Sequence, residues 1–166
     1  QKKAIDKIDD FNVKGLHQLF LARKLLFAQF KIMMPLQITL RLNKALETFK
    51  KQSPTVSNSQ NRIAKDIRML YSEDLQEEHW SEPTASYVDF AVPSSKLVIQ
   101  FDGPHHFLFI NGQASLSPQD QAMDFILRHE GWTVLRISYI DWNRIEDRPQ
   151  NERIAELKRI LGQAQH

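Results

Sequence analysis

The stretch SYVDFAVPSSKLVIQFDG, Ser86–Gly103, decides the fold. Two apolar runs flank Pro93-Ser94-Ser95-Lys96, the pattern of an antiparallel hairpin. A loop of two residues (94–95) or of four (93–96) gives the same register, in which opposed residue numbers sum to 189. Asp89 then lies opposite Gln100, and Tyr87 opposite Asp102. Opposed residues share a face, so Tyr87, Asp89, Ala91, Val98, Gln100 and Asp102 line one side. The other side, Val88, Phe90, Val92, Leu97, Ile99 and Phe101, is wholly apolar and must face a core.

Downstream, SPQDQAMDFILRHEGW carries complete helix punctuation. Ser117 is an N-cap, Pro118 takes the first helical position, and Asp120 approximates a capping box. Ala122, Phe125, Ile126 and His129 make the predicted inner stripe, and Gly131 is the stop. Trp132–Ser138 reads as a strand one helix-length beyond the hairpin, which predicts a crossover to parallel pairing. YIDWNRI is a turn or short helix. PQNERIAELKRILG is a last amphipathic helix, with Ile154, Leu157 and Leu161 inward and Gly162 ending it.

Upstream, Ser57 or Ser59 caps a helix to about Tyr71, with Ile63, Ile67 and Leu70 inward. A strand is expected over Leu75–Trp80, and the four acids of EDLQEE read as solvated surface. From residue 57 the order is α-β-β-β-α-β-α, an α/β sandwich with a mixed sheet.

Residues 1–51 are different in kind. Leu16, Leu19, Phe20, Arg23, Leu26, Phe27 and Phe30 recur at helical spacing over 11–31, with Asp9 or Asp10 as cap. Pro35 interrupts. A second helix fits 36–51, with Ile38, Leu42, Leu46 and Phe49 on one side. The pair forms a helical hairpin that cannot bury both faces alone and must dock on something. QSPTVSNSQ, residues 52–60, is a small polar linker.

The charge divides along the same line. Residues 1–56 carry eleven Lys/Arg and four Asp/Glu, net +7, and residues 57–166 carry eleven and sixteen, net −5. A polyanion would therefore meet the basic segment first. The chain has no cysteine, which excludes disulfide scaffolds, Cys-zinc centres and thiol nucleophiles. No apolar run is long enough to span a bilayer, because Arg23, Lys24 and Lys31 break the longest one.

Asp89 and Asp102 on one face, with His105 and His106 just past the strand end, have the composition of a divalent-metal site that activates water on a phosphodiester. The structural alternative has Asp102 capping the Gly103-Pro104 turn and Asp89 pairing with Arg136 or a backbone donor.

VDFAVPSSKLVIQFDGPHHF followed by LRHEGWTVLRISYIDW resembles the RAP domain, an RNA-binding domain abundant in apicomplexans and also found in mitochondrial FAST-kinase-domain proteins and organellar helical-repeat proteins. The resemblance covers about 57–163. It rests on Asp89, Asp102, Gly103, Pro104, His106, Phe107, Gly131, Trp132 and Trp142, with Tyr139. It implies a restriction-endonuclease-like three-layer sandwich with a mixed sheet, similar to very-short-patch repair nucleases, preceded here by the helical hairpin. In that fold a first Asp is followed on the next strand by Asp/Glu-x-Lys. Asp89 matches the first acid, but Gln100 and Asp102 stand where the second acid and the lysine belong. A neutral amide is a poor metal ligand, and an acid cannot supply the lysine's positive charge.

The resemblance thus implies an RNA-binding module that does not cleave, in organellar RNA metabolism or a mitoribosome, mitochondrial with the plastid as alternative. The expected RNA contacts are Lys24, Lys31, Arg41, Lys44, Lys50, Lys51, His106, Arg136, Trp142 and Arg144. Trp142 and Tyr139 are expected to stack on bases and the cations to meet phosphate. The expected partners are RNA, ribosomal RNA among the candidates, and other proteins of a ribonucleoprotein complex. No cofactor is expected. The nuclease alternative would use Asp89, Asp102 and His105 or His106 with Mg2+ or Mn2+. A third reading is a protein-docking domain, with residues 1–51 as the end of a helical-repeat region or a docking arm.

Overall fold

The structure is a computed structural model and describes residues 11–51, 57–71 and 74–163. It is α/β. In chain order it has α1 (Val13–Phe30), α2 (Leu36–Lys50), α3 (Asn58–Leu70), β1 (Gln76–Ser81), β2 (Ser86–Val92), β3 (Leu97–Asp102), β4 (Phe107–Ile110), β5 (Gln113–Leu116), α4 (Pro118–His129), β6 (Thr133–Ser138), α5 (Tyr139–Asn143) and α6 (Gln150–Gln163). β1, β2, β3 and β6 form a mixed sheet in that order, and β4 pairs with β5 in a separate ribbon.

The hairpin register is the one the sequence predicts. Phe90 pairs with Ile99, Ala91 with Val98 and Val92 with Leu97. The loop has four residues: Pro93–Ser95 make a 3-10 turn and Lys96 closes it in the left-handed region. β6 runs parallel to β3, from Leu97↔Thr133 to Asp102↔Ser138, as the crossover requires.

The chain divides into two compact units. The larger contains most of the sheet, α3, α5, α6 and the β4–β5 ribbon. Its core joins Ile63 and Ile67 of α3, Phe90 and Val92 of β2, Leu97 and Ile99 of β3, Leu135 and Ile137 of β6, Trp142 of α5, and Leu157 and Leu161 of α6. The predicted apolar face of the hairpin is therefore the core face. Asp66 of α3, fully buried, accepts from Arg153 Nε at 2.7 Å and Nη2 at 3.1 Å, and from Gln150 at 3.1 Å. This bidentate pair ties α3 to α6. α6 continues through Gly162 to Gln163, so that glycine does not end the helix.

The smaller unit contains α1, α2, α4 and Trp80–Ser86. Leu16, Phe20 and Leu21 of α1 pack with Leu42 and Leu46 of α2 and with Met123 and Ile126 of α4. The helical hairpin thus buries its inner face on a third helix. Asn12 caps α1 by accepting from the Gly15 amide at 2.9 Å; Asp9 and Asp10 lie outside the described residues, as does most of the 52–60 linker. Two predicted stripes are corrected. Phe27 and Phe30 of α1 are exposed. On α4 the buried residues are Asp120, Met123, Ile126 and Leu127. Phe125 and His129 instead stack on each other on its outer side, with ring centroids 6.2 Å apart and planes at 5°. Phe125 and Met123 are two positions apart and fall on different helix faces, so choosing the aromatic ring as the inner residue turned the stripe.

The β4–β5 ribbon was not among the expected elements. Its turn is Asn111-Gly112, both at positive φ, between Ile110 and Gln113. Asn-Gly between alternating residues is a strong short-range hairpin signal.

Candidate nucleic-acid interface

Three neighbourhoods in the larger unit contain the residues singled out from the sequence. The first surrounds Asp89. Ser57 caps α3 by accepting from the Gln60 amide at 3.1 Å, which fixes Gln60 in the first turn. The Gln60 side-chain amide then donates to Glu78 and, at 2.9 Å, to Asp89. The other Asp89 oxygen accepts from the Phe101 backbone N–H at 2.6 Å, and the Gln100 side-chain oxygen accepts from the Asp89 backbone N–H at 2.9 Å. Glu78 sits within β1 at φ 49°, in the left-handed region where a side chain is strained. Its carboxyl is pushed up to about 7, first by burial and then by the Asp89 charge, against the Gln60 hydrogen bond. EDLQEE is thus not uniformly solvated surface: Glu78 turns inward. Its cue was absent from the sequence, because a left-handed Glu inside a strand breaks the alternation by which inward residues are read.

The second neighbourhood surrounds Asp102, which is 2% exposed. The parallel register puts Arg136 beside Gln100 and on its face, one step from Asp102. The Arg136 guanidinium pairs with the Asp102 carboxylate, and His106 Nδ1 lies 3.9 Å from the same carboxylate oxygen. Arg136 therefore serves Asp102. Pro104–His106 form a 3-10 turn after Gly103.

These facts bear on metal chemistry. The Asp89 oxygens accept hydrogen bonds from an amide side chain and a backbone N–H, and Asp102 is engaged by a guanidinium. His105 is exposed on the turn. Among the described residues no group of three or more His, Asp or Glu side chains is arranged to hold a metal ion. Asp89, Asp102, His105 and His106 do not make up such a group.

The third neighbourhood is the ribbon. The Ser117 N–H donates to the His106 carbonyl at 2.8 Å, closing its base. Phe107 packs near Tyr139, with centroids 6.0 Å apart. Two residues on, and so on the same face, Phe109 is 64% exposed. His105, half-buried His106 and Phe109 thus put two imidazoles and a bare phenyl ring on the turn and the strand that follows it.

The remaining predicted contacts separate by environment. Trp142 is fully buried in the core, so it does not stack on a base. Trp132 is half-buried, its ring 6.1 Å from the His79 ring. Gly131, at φ 84°, stops α4 as expected. Arg144 is exposed and pairs with Asp141 at 3.3 Å. In the smaller unit Lys24 pairs with Glu130 at 3.6 Å, and Lys50 pairs with Glu82 and lies over the Trp80 ring. Lys31 is the left-handed C-cap of α1, above the Phe27 ring. Arg41, Lys44 and Lys51 are exposed.

Residues 99–159 match the family model of the RAP domain. The match takes in Asp102 through Phe107, the ribbon, Gly131, Trp132 and Trp142, and begins beyond Asp89. A RAP domain suggests a nucleic-acid-binding role. No curated protein matches the chain. Among the described residues no helix is long and apolar enough to cross a membrane.

Proposed function

We propose that the RAP domain of this chain makes it an RNA-binding module that holds RNA without cleaving it. The observation that carries the reading is the engagement of its two central carboxylates, Asp89 by Gln60 and the Phe101 amide, Asp102 by Arg136. Carboxylates held in this way serve the structure and leave little for a metal. Base contact falls to the ribbon: Phe109 stacks on an unpaired base, with His105 and His106 beside it. Phosphate contact falls to Arg144 and to the basic helices through Arg41, Lys44 and Lys51, since the larger unit belongs to the acidic part of the sequence.

The sheet order, with β6 parallel to β3 and with α3 and α6 over one face, supports a restriction-endonuclease-like sandwich kept for its surface. The resemblance to RAP proteins supports a place in organellar RNA metabolism, mitochondrial before plastid, with ribosomal RNA and ribonucleoprotein subunits as partners.

The test combines the full chain with labelled single-stranded and structured RNA in Mg2+ and in Mn2+, following retention and integrity together. Salt-dependent binding of intact RNA is expected. Cleavage that disappears in Asp89→Asn or Asp102→Asn would replace this reading with a nuclease. Absence of binding to every RNA at low salt would reject it.

A further inference from the structure

At the junction of α1 and α2 the smaller unit has an apolar groove of about 280 Å³, lined by Phe27, Ile32, Met33, Met34 and Thr39 with Arg23 and Lys24. Phe30, Ile32, Met33, Leu36 and Leu40 along the same junction are each more than half exposed. Solvated chains rarely leave so much contiguous apolar sequence bare without a partner.

Arg23 identifies the partner. Its Nη1 is shielded from solvent and finds no acceptor among the described residues. The guanidinium lies over the Phe20 ring at 5.2 Å, and burial depresses its pKa. A guanidinium stays charged, so this partly buried one, with a nitrogen short of an acceptor, favours an anion in the groove that it lines. Phe27 is also crossed by Lys31, which adds positive charge at the end of α1.

We infer that this groove docks an acidic amphipathic helix of a partner protein, its apolar face on Phe27, Ile32 and Met33 and a carboxylate on Arg23. Methionine and phenylalanine walls suit the repacking that a helix-in-groove contact needs. A second copy fits less well, because a two-fold contact would set Arg23, Lys24 and Lys31 against themselves. RNA fits less well, because its hydrated phosphates would lie on methionine.

The test uses the full chain and a labelled twenty-residue probe peptide with Leu and Phe at i, i+3, i+4 and i+7 and Glu elsewhere. A matched peptide has Gln in place of Glu. Fluorescence anisotropy is expected to show saturable binding of the Glu peptide and at least tenfold weaker binding of the Gln peptide. Arg23→Met and Met33→Glu should each weaken the Glu peptide at least tenfold. Met33 is 78% exposed, so Met33→Glu should fold, and its thermal melt checks this. Equal affinity for the two peptides, indifference to Arg23→Met, or no saturable binding would overturn the inference. So would light scattering that shows a dimer broken by Met33→Glu, or RNA binding that Met33→Glu weakens as much as peptide binding.

Discussion

Asp89 and Gln100 each use a side chain to satisfy the other strand's backbone. Gln100 takes the Asp89 N–H at 2.9 Å, and Asp89 takes the Phe101 N–H at 2.6 Å. They stand one step past the Phe90↔Ile99 pair of the ladder. Two polar side chains in a buried hairpin thus stand in for ladder bonds. Gln100→Leu keeps the volume but orphans the Asp89 N–H, and should cost about 1–3 kcal/mol. Gln100→Glu keeps an acceptor but sets a second carboxylate beside Asp89. It should be less stable than the wild type at pH 8 and recover toward pH 5, as the added carboxyl protonates. Urea titrations at the two pH values check both; a Gln100→Leu variant as stable as the wild type would contradict the first.

Glu78 gives a pH dependence with an unusual sign. Its folded-state pKa, about 7, stands above the ordinary glutamate value near 4.5. The folded protein keeps a proton that the unfolded chain releases. Its contribution to stability is complete below about pH 4.5 and is lost as pH rises through about 7. Asp89, Gln60 and Glu77 are the groups that act on it. Glu78→Gln removes the titration and keeps an acceptor for Gln60. After discounting for solvent screening, the variant should gain about 1 kcal/mol over the wild type between pH 5 and pH 8. The check is the difference between their urea midpoints across that range; a constant difference would contradict it.

The hairpin and its parallel neighbour were legible because their information is local. Alternation fixed the faces, loop parity fixed the register, and Ser57 and Gly131 marked helix ends by chemistry that acts within three or four residues. Asp89 and Asp102 were legible as costly polar groups, but not their partners. Gln60 lies twenty-nine residues before Asp89, and Arg136 thirty-four after Asp102; only the assembled sheet brings each pair together. Trp142 misled for a related reason. An aromatic in a short helix after a strand reads equally as a stacking platform or as core, and burial alone decides. On α4 Ile126 was read correctly as inward, but Phe125 outweighed Met123 by size, although Met123 and Leu127 lie with Ile126 on the face that packs. Phe109 was missed together with its ribbon, although Asn111-Gly112 was in plain sight.

The Asp102–Arg136 pair predicts a lopsided mutational response. Asp102 is 2% exposed and the Arg136 side chain 17%. Arg136→Met leaves a buried carboxylate without its cation and should cost about 3–5 kcal/mol. Asp102→Leu in the same chain removes the stranded charge and should recover most of that loss. A double-mutant cycle in urea measures the coupling, and additive single costs would contradict it. RNA affinity of the double variant should match that of the wild type, because the guanidinium is committed to Asp102 and not to phosphate.

The RNA reading separates base contact from phosphate contact. Phe109 is exposed, so Phe109→Ala should leave the melting temperature unchanged. Losing one stacked base should weaken single-stranded RNA binding by about 1–3 kcal/mol, roughly 5- to 150-fold, at every salt concentration. Lys44→Gln and Lys51→Gln should act in the other way. Each removes one phosphate contact and should reduce the slope of log affinity against log salt by about 0.7 for a single strand. Filter binding from 50 to 300 mM salt distinguishes the two effects. If Phe109→Ala changes the slope, or if neither lysine does, the ribbon and the basic helices do not divide the work as proposed. If Phe109→Ala binds as tightly as the wild type, bases do not stack on the ribbon, and its exposed ring belongs to a protein contact instead.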